Sequence, residues 1–292
     1  MTRGSRFSLF LMAAGPLAFF AIFVLWPLAQ SMYYSLTKWN GLSDPEFIGL
    51  DNFSRLLSDP NFIKSFENTA IWLIVAVTVP TILGLLLAVL LDRPLRGSRI
   101  YKSAFYLPIT LSLVVVGQVW TWIYQPNWGL INSVLETLGL EELTRAWLGD
   151  PETALLAVIL AWCWQQTALA LILYLAALTT VPQDLIEAAA IDGASARQQF
   201  TRIIVPLLRP ATVVVITLAV INTLKGFDIV FVLTKGGPFY MSSNLAMYMY
   251  EQTFRSYHLG YGAAIATALF ALAIIVVVVY FRQARASERL YG

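Results

Sequence analysis

Few side chains in this 292-residue chain are equipped for covalent chemistry, and they do not stand together. There is one histidine, His258, and one cysteine, Cys163, which lies inside an apolar run. One Cys and one His supply neither a zinc or iron–sulfur ligand set nor an internal disulfide. A nucleophile needing an imidazole base has only His258 to serve it. No Walker-type phosphate loop occurs. What remains is hydrogen-bonding chemistry in apolar surroundings. Gln165 and Gln166, Asn222 and Thr223, and Thr110 and Ser112 after Pro108 are polar groups set in long hydrophobic stretches. Such groups either bond between helices or line a solute path. We read the glutamine pair and Asn222 as path residues. Thr110 and Ser112 are expected to bond their own helix backbone. Lys225 and Asp228 stand three apart and read first as a snorkelling lysine beside an acid, with an ion pair or a ligand contact as alternatives.

The elements that position these residues follow from composition. The chain is 58% hydrophobic and 12% charged, against roughly 25% charged in soluble domains, which indicates an integral membrane protein. Crossing ~30 Å of hydrocarbon takes about 20 apolar residues in a helix. Segments 9–31, 70–91, 104–124, 154–178, 207–224 and 262–281 meet that demand, so the chain reads as an all-α, six-span, single membrane domain. The first segment exceeds a signal peptide's apolar core and is expected to stay in place. Arg3, Arg6, Arg93, Arg96, Arg99, Lys102, Arg197, Arg202, Arg209, Arg282, Arg285 and Arg289 fall on one side of these spans. The positive-inside rule makes that side cytoplasmic, together with both termini. Trp120, Trp122, Tyr124 and Trp128 read as an interfacial belt. A short outer helix after Gly49, capped by Asp51 or Asn52, is expected to rest at headgroup depth. The near-neutral charge and the absence of a basic stripe argue against nucleic-acid binding.

One cytoplasmic segment, 182–206, is polar and Ala-rich. Pro182 suits a first helical turn, and Asp184 and Glu187 suit a positive helix N-terminus. Gly193 suits the left-handed position that ends a helix. Ser195 and Gln198 have capping-box spacing, and Pro206 is expected to bend the chain into the fifth span. The predicted shape is helix, turn, helix, kink. Its pattern is Glu187-Ala188-Ala189, then Gly193, then Ile203-Ile204-Val205-Pro206, with Val205 at a position usually Leu. It resembles the EAA loop of permease subunits in ABC importers. Downstream, Thr234-Lys235-Gly236-Gly237-Pro238 is a turn in which the glycines supply positive φ. That turn, and the segment from Phe47 to Phe53, resemble the carbohydrate branch of these permeases, specifically a maltose-F-like subunit of the short six-span type.

The resemblance implies a type I ABC importer permease fold with cytoplasmic coupling helices, in a multi-pass protein of a prokaryotic inner membrane. Carried over by position, Glu187, Ala188, Ala189 and Gly193 would contact an ATPase or act as hinge, with Asp192 and Arg197 as charge partners. Gln165, Gln166, Asn222, Thr223 and Gly226 would fall at or beside the sugar path, with Asp228 at its outer end. The implied partners are a second, maltose-G-like permease, two ABC ATPases, an extracytoplasmic solute-binding protein and a small solute. ATP and magnesium would be bound by the ATPases, and this chain would hold no cofactor, no metal and no catalytic residue. A glycerol-3-phosphate-type permease is the runner-up, although only Lys225 is near enough to meet a phosphate. An ion-coupled secondary transporter is the alternative of a different class, disfavoured by the lack of acids within the spans.

Overall fold

The computed structural model describes residues 12, 14–92 and 97–291, the side chains of 279, 281 and 283–291 excepted. Arg3, Arg6, Arg93, Arg96 and the start of the first predicted span lie outside the described residues, as do the side chains of Arg285 and Arg289. The chain forms two compact units, Met1–Ile63 with Tyr248–Ala271, and Lys64–Met247 with Leu272–Gly292.

Helix α1 runs over Ala14–Tyr34. Strands β1 (Thr37–Lys38) and β2 (Glu46–Phe47) pair antiparallel. Helices α2 (Asp51–Ser58), α3 (Pro60–Asp92), α4 (Ser98–Thr110), α5 (Leu113–Ile123), α6 (Leu130–Thr137) and α7 (Ala154–Leu178) follow. Then come α8 (Gln183–Ile191), α9 (Ala196–Leu207), α10 (Arg209–Leu224), α11 (Asp228–Leu233), α12 (Leu245–Tyr250) and α13 (Leu259–Tyr291). The ribbon is a small departure from the all-helical expectation. Among the described residues, four helices (α1, α3, α7 and the Leu259–Val278 part of α13) are long and apolar enough to cross a membrane. The count rises to six if the bent pairs α4–α5 and α9–α10 each make one span.

In the first unit, α1 carries a π-helical stretch at Ala21–Leu25, where the Trp26 amide reaches back to the Ala21 carbonyl. Pro27 follows directly and has no amide to continue the ordinary ladder, which accounts for the wider turn. The outer helix α2 is present, but neither predicted residue caps it: Leu50 is the N-cap, without a side-chain bond. Asn52 is buried instead and donates to the Ser35 carbonyl at 2.9 Å and the Thr37 carbonyl at 2.8 Å. It ties α2 to the end of α1 and to the ribbon. A carboxylate then starts α3. Asp59 Oδ1 accepts from the Asn61 amide at 2.9 Å and the Phe62 amide at 3.4 Å, while Pro60 opens the helix. This explains why α3 begins about ten residues before the predicted span.

In the second unit, α7 is apolar all round and forms the buried centre. It matches the predicted segment 154–178. Ala170, Leu171, Tyr174, Leu175 and Leu178 of α7 pack with Ala88 and Leu91 of α3, and with Leu208 and Val215 at the start of α10. Gly84 allows the closest approach: a Cβ built there would stand 2.5 Å from the Ala170 Cβ. The third predicted span is not one helix. It breaks at Leu111–Ser112, both extended, and α4 and α5 meet at 106°. The fifth begins with a 67° bend at Leu208 instead of at Pro206. Pro206 fits inside α9, while Pro210 enters the first turn of α10, where its missing amide costs nothing.

Candidate functional site

The polar residues of the second unit sort themselves by where their hydrogen bonds go. Gln165 is 5% exposed. Its Nε2 donates to the Leu111 carbonyl at 2.6 Å, which the break between α4 and α5 leaves without a helical partner, and to the Pro108 carbonyl at 3.2 Å. Gln166 faces another helix: its Oε1 accepts from Asn222 Nδ2 at 3.0 Å, joining α7 to α10. Thr223 is buried and its hydroxyl returns to the Ala219 carbonyl at 2.7 Å. Gly226 follows where a Cβ would press on the Thr223 carbonyl at 2.9 Å and on Trp72 at 3.2 Å. Asp228 opens α11 and is exposed, as is Lys225. No ion pair joins them among the described residues. Thr110 and Ser112 behave as expected, Thr110 donating to the Leu107 carbonyl at 2.7 Å and Ser112 capping α5 through the Val115 amide.

The aromatic belt needs correction. Trp122 and Trp128 are exposed at 56% and 61%, but Tyr124 is buried and donates to the Ala157 carbonyl at 2.9 Å. Trp120 packs edge-on against Trp164 at 6.0 Å. Both line an apolar cavity of about 420 Å³ with Phe105, Pro108 and Cys163. Trp162 meets Trp72 edge-on at 5.8 Å and is fully buried.

The Ala-rich segment folds as its sequence dictates. Pro182 is the N-cap of α8, one position earlier than the first turn. Gly193 takes φ +81, and its amide bonds the Ala190 carbonyl at 3.1 Å, while the Ala194 amide reaches Ala189 at 2.9 Å. The capping box is complete: Gln198 Oε1 accepts from the Ser195 amide at 2.7 Å, and Ser195 Oγ accepts from the Gln198 amide at 3.4 Å. Glu187, Ala188, Asp192, Gly193 and Arg197 are exposed and Ala189 is half-buried. Leu185 and Ile191 are exposed too, Ile191 at 86%, so α8 shows an uncovered apolar flank beside its charges. A shallow cavity of about 260 Å³ lies at the turn, between Asp192, Gly193, Gln198 and Arg202.

Residues 81–289, which include this helical pair, both glutamines and Asn222, match the family of binding-protein-dependent transport system inner membrane components. The chain belongs to that family. A probable ABC transporter permease protein of Pyrococcus horikoshii is 37% identical over 273 residues, covering 93% of each chain. The trehalose/maltose transport system permease protein of Thermococcus litoralis is 34% identical over 268 residues, covering 90% of this chain and 89% of its own. A crystallised bacterial ABC transporter involved in import of the acidic polysaccharide alginate contains a chain of the same fold. Its TM-score is 0.83 at 22% identity, and the match covers 97% of this chain and 96% of the other. This family member is therefore a transport permease with membrane-spanning helices.

Sequence reasoning missed a further set of polar residues that shape this permease. Asn68, near the start of α3, donates to the carbonyls of Tyr240, Met241 and Ser243 at 3.2, 3.0 and 2.8 Å. Ser242 Oγ lies 2.6 Å from the Gly237 carbonyl and 2.7 Å from Thr234 Oγ1. Asn244 Nδ2 holds the Gly226 carbonyl at 2.8 Å. The Thr234–Pro238 turn is thus fixed from several directions. Of its glycines only Gly236 has positive φ (+83), and Lys235 takes the other left-handed position at φ 52. The sequence signal was weak, since Asn68 and Thr69 close the polar start of α3, after Lys64, Ser65 and Glu67, just before its apolar run.

Proposed function

We propose that this chain is one transmembrane subunit of a binding-protein-dependent ABC importer for a carbohydrate or polyol-like solute. Six spans, with both termini cytoplasmic, would form a single permease domain in a prokaryotic inner membrane. The exposed helix–turn–helix of α8 and α9 carries the coupling part of this reading. Its caps, its left-handed Gly193 and its uncovered apolar flank make it a preformed docking element. Two partner ATPases that bind ATP and magnesium would receive it, with Glu187, Ala188, Ala189, Asp192, Gly193 and Arg197 at the contact or hinge. The cargo class rests on relatives named for sugars, among them the trehalose/maltose permease. A second, maltose-G-like permease and a solute-binding protein complete the assembly. Gln166, Asn222 and Asp228 would line the path, while Gln165, Thr223 and Gly226 would shape it.

The test uses Glu187→Lys and Gly193→Pro, both at exposed positions. Sugar uptake into cells or proteoliposomes containing the whole complex is expected to fall to background, with membrane levels of the protein preserved. Unchanged uptake in both variants would sink the coupling assignment.

A further inference from the structure

The first unit holds a polar cavity built from none of these residues. It has a volume of about 430 Å³, within the ~300–1,000 Å³ range of small-molecule sites. Asp44, Glu46 and Asp51 line it together with Lys38 and Arg55. Among the described residues no ion pair joins these acids to these cations. Exposed charges of both signs thus line one cavity without a direct ion pair between them.

Their surroundings hold the site in shape. The Arg55 guanidinium sits 4.2 Å from the centre of the Tyr261 ring, and the Tyr261 hydroxyl is anchored on Asp59 at 2.6 Å. Trp39 stacks on Tyr34 at 4.3 Å and spends its indole N–H on the Ser43 carbonyl at 2.7 Å. His258, which also lines the cavity, has its Nδ1 3.1 Å from Gln252 Oε1. Tyr257 lines the wall at φ 54 with its side chain exposed. A bulky residue adopts that left-handed backbone only when its surroundings impose it, and such strain gathers at functional sites.

A simple cation or anion would satisfy half of these charges and oppose the rest. A polyhydroxylated ring suits both. Each hydroxyl donates to a carboxylate while accepting from an ammonium or guanidinium, and the C–H face of the ring packs on an aromatic side chain. We infer that this cavity is a second carbohydrate site, separate in its residues from the path residues of α7 and α10. The inference rests on reading the chain as a carbohydrate permease with segment 35–58 on its outer face.

The experiment titrates the whole complex in lipid nanodiscs, without its binding protein, with maltose, trehalose, glucose, glycerol and the zwitterion glycine, followed by calorimetry. Saturable binding of at least one sugar is expected. Tyr257→Gly should raise its Kd about tenfold, the loss of one aromatic contact of roughly 1.4 kcal/mol. Its melting temperature should not fall, because glycine takes φ 54 freely. Glu46→Gln, at an exposed position, should weaken binding in the same direction. Preference for glycine over every sugar, or equal affinity in both variants, overturns the site. So does an absence of sugar binding to the wild type. Sugar uptake by the same complex in proteoliposomes, with binding protein added, separates the two failures: intact uptake without such binding removes this site alone.

Discussion

Gln165→Leu tests whether this glutamine serves the solute or the backbone. The substitution keeps the volume and removes the Nε2 donor. The Pro108 carbonyl retains a second bond, from the Leu111 amide at 3.3 Å. The Leu111 carbonyl does not: its bond to Gln165 at 2.6 Å is the one contact found for it among the described residues. One partly buried carbonyl is therefore orphaned, at a cost toward the lower end of the about 1–3 kcal/mol for a buried one. The smaller figure of ~0.6 kcal/mol typical of interhelical bonds in membranes does not apply, because the freed carbonyl sits at a break with no helical partner to fall back on. At roughly 2–4 °C per kcal/mol, the melting temperature of the purified permease should drop by a few degrees. Gln165→Asn, whose amide sits on a shorter arm, should fall in between. In proteoliposomes the maximal rate should fall for every transported solute alike. The reasoning fails if Gln165→Leu melts like the wild type, or if it changes apparent affinity for one solute while sparing others. The second result would make Gln165 a direct ligand of the solute.

Two further perturbations probe the packing. Asp59 is pulled upward by burial, but bonds from Tyr248 and Tyr261 and from the Asn61 and Phe62 amides outweigh this and leave its pKa below the ordinary value. A depressed pKa contributes stability that is present above about pH 3.9, the unfolded value, and is lost as pH falls through the folded one. Asp59→Asn should therefore cost about 1–2 kcal/mol at pH 7, through weaker bonds from the two tyrosines. The gap in melting temperature to the wild type should narrow as pH falls below the unfolded value of about 3.9, and a gap unchanged between pH 7 and acid would contradict the account. Gly84→Ala should destabilise by roughly 1–3 kcal/mol, since the new methyl must displace Ala170. Adding Ala170→Gly should recover part of that loss, and a strictly additive double mutant would rule out the contact.

What the sequence made legible follows a physical division. Local chemistry was readable: the Ser195–Gln198 box and the Gly193 turn depend on residues within a few positions of one another, and both formed as expected. The apolar run 154–178 was readable because a helix buried all round needs no pattern beyond hydrophobicity. Long-range hydrogen bonds were not. Asn52 looks like a helix cap by spacing, yet it bonds carbonyls 15 and 17 residues away. Asn68 holds a loop more than 170 residues distant. The break after Thr110 was also hidden. Pro108 and Ser112 mark a possible stop, but the extended backbone there depends on Gln165, which is 54 residues further on.

Polarity alone therefore does not nominate a path residue in this chain; unspent hydrogen-bonding capacity does. Gln165 and Thr223 are buried with their donors directed at backbone carbonyls, so they hold geometry. Gln166, as buried as Gln165, and half-buried Asn222 use one amide group each on the other, and among the described residues no further bond engages the Gln166 NH₂ or the Asn222 carbonyl oxygen. The break between α4 and α5 points the same way. Non-helical backbone at membrane depth persists only where protein buries it or where it borders a water-filled cavity. Here one face of the break is closed by Gln165, and α5 packs against α11, where Gly117 stands close enough to Val232 that a Cβ would come within 2.8 Å. Gln165, which closes the break, and Gln166, which ties α7 to α10, are thus neighbours on one helix with separate structural partners.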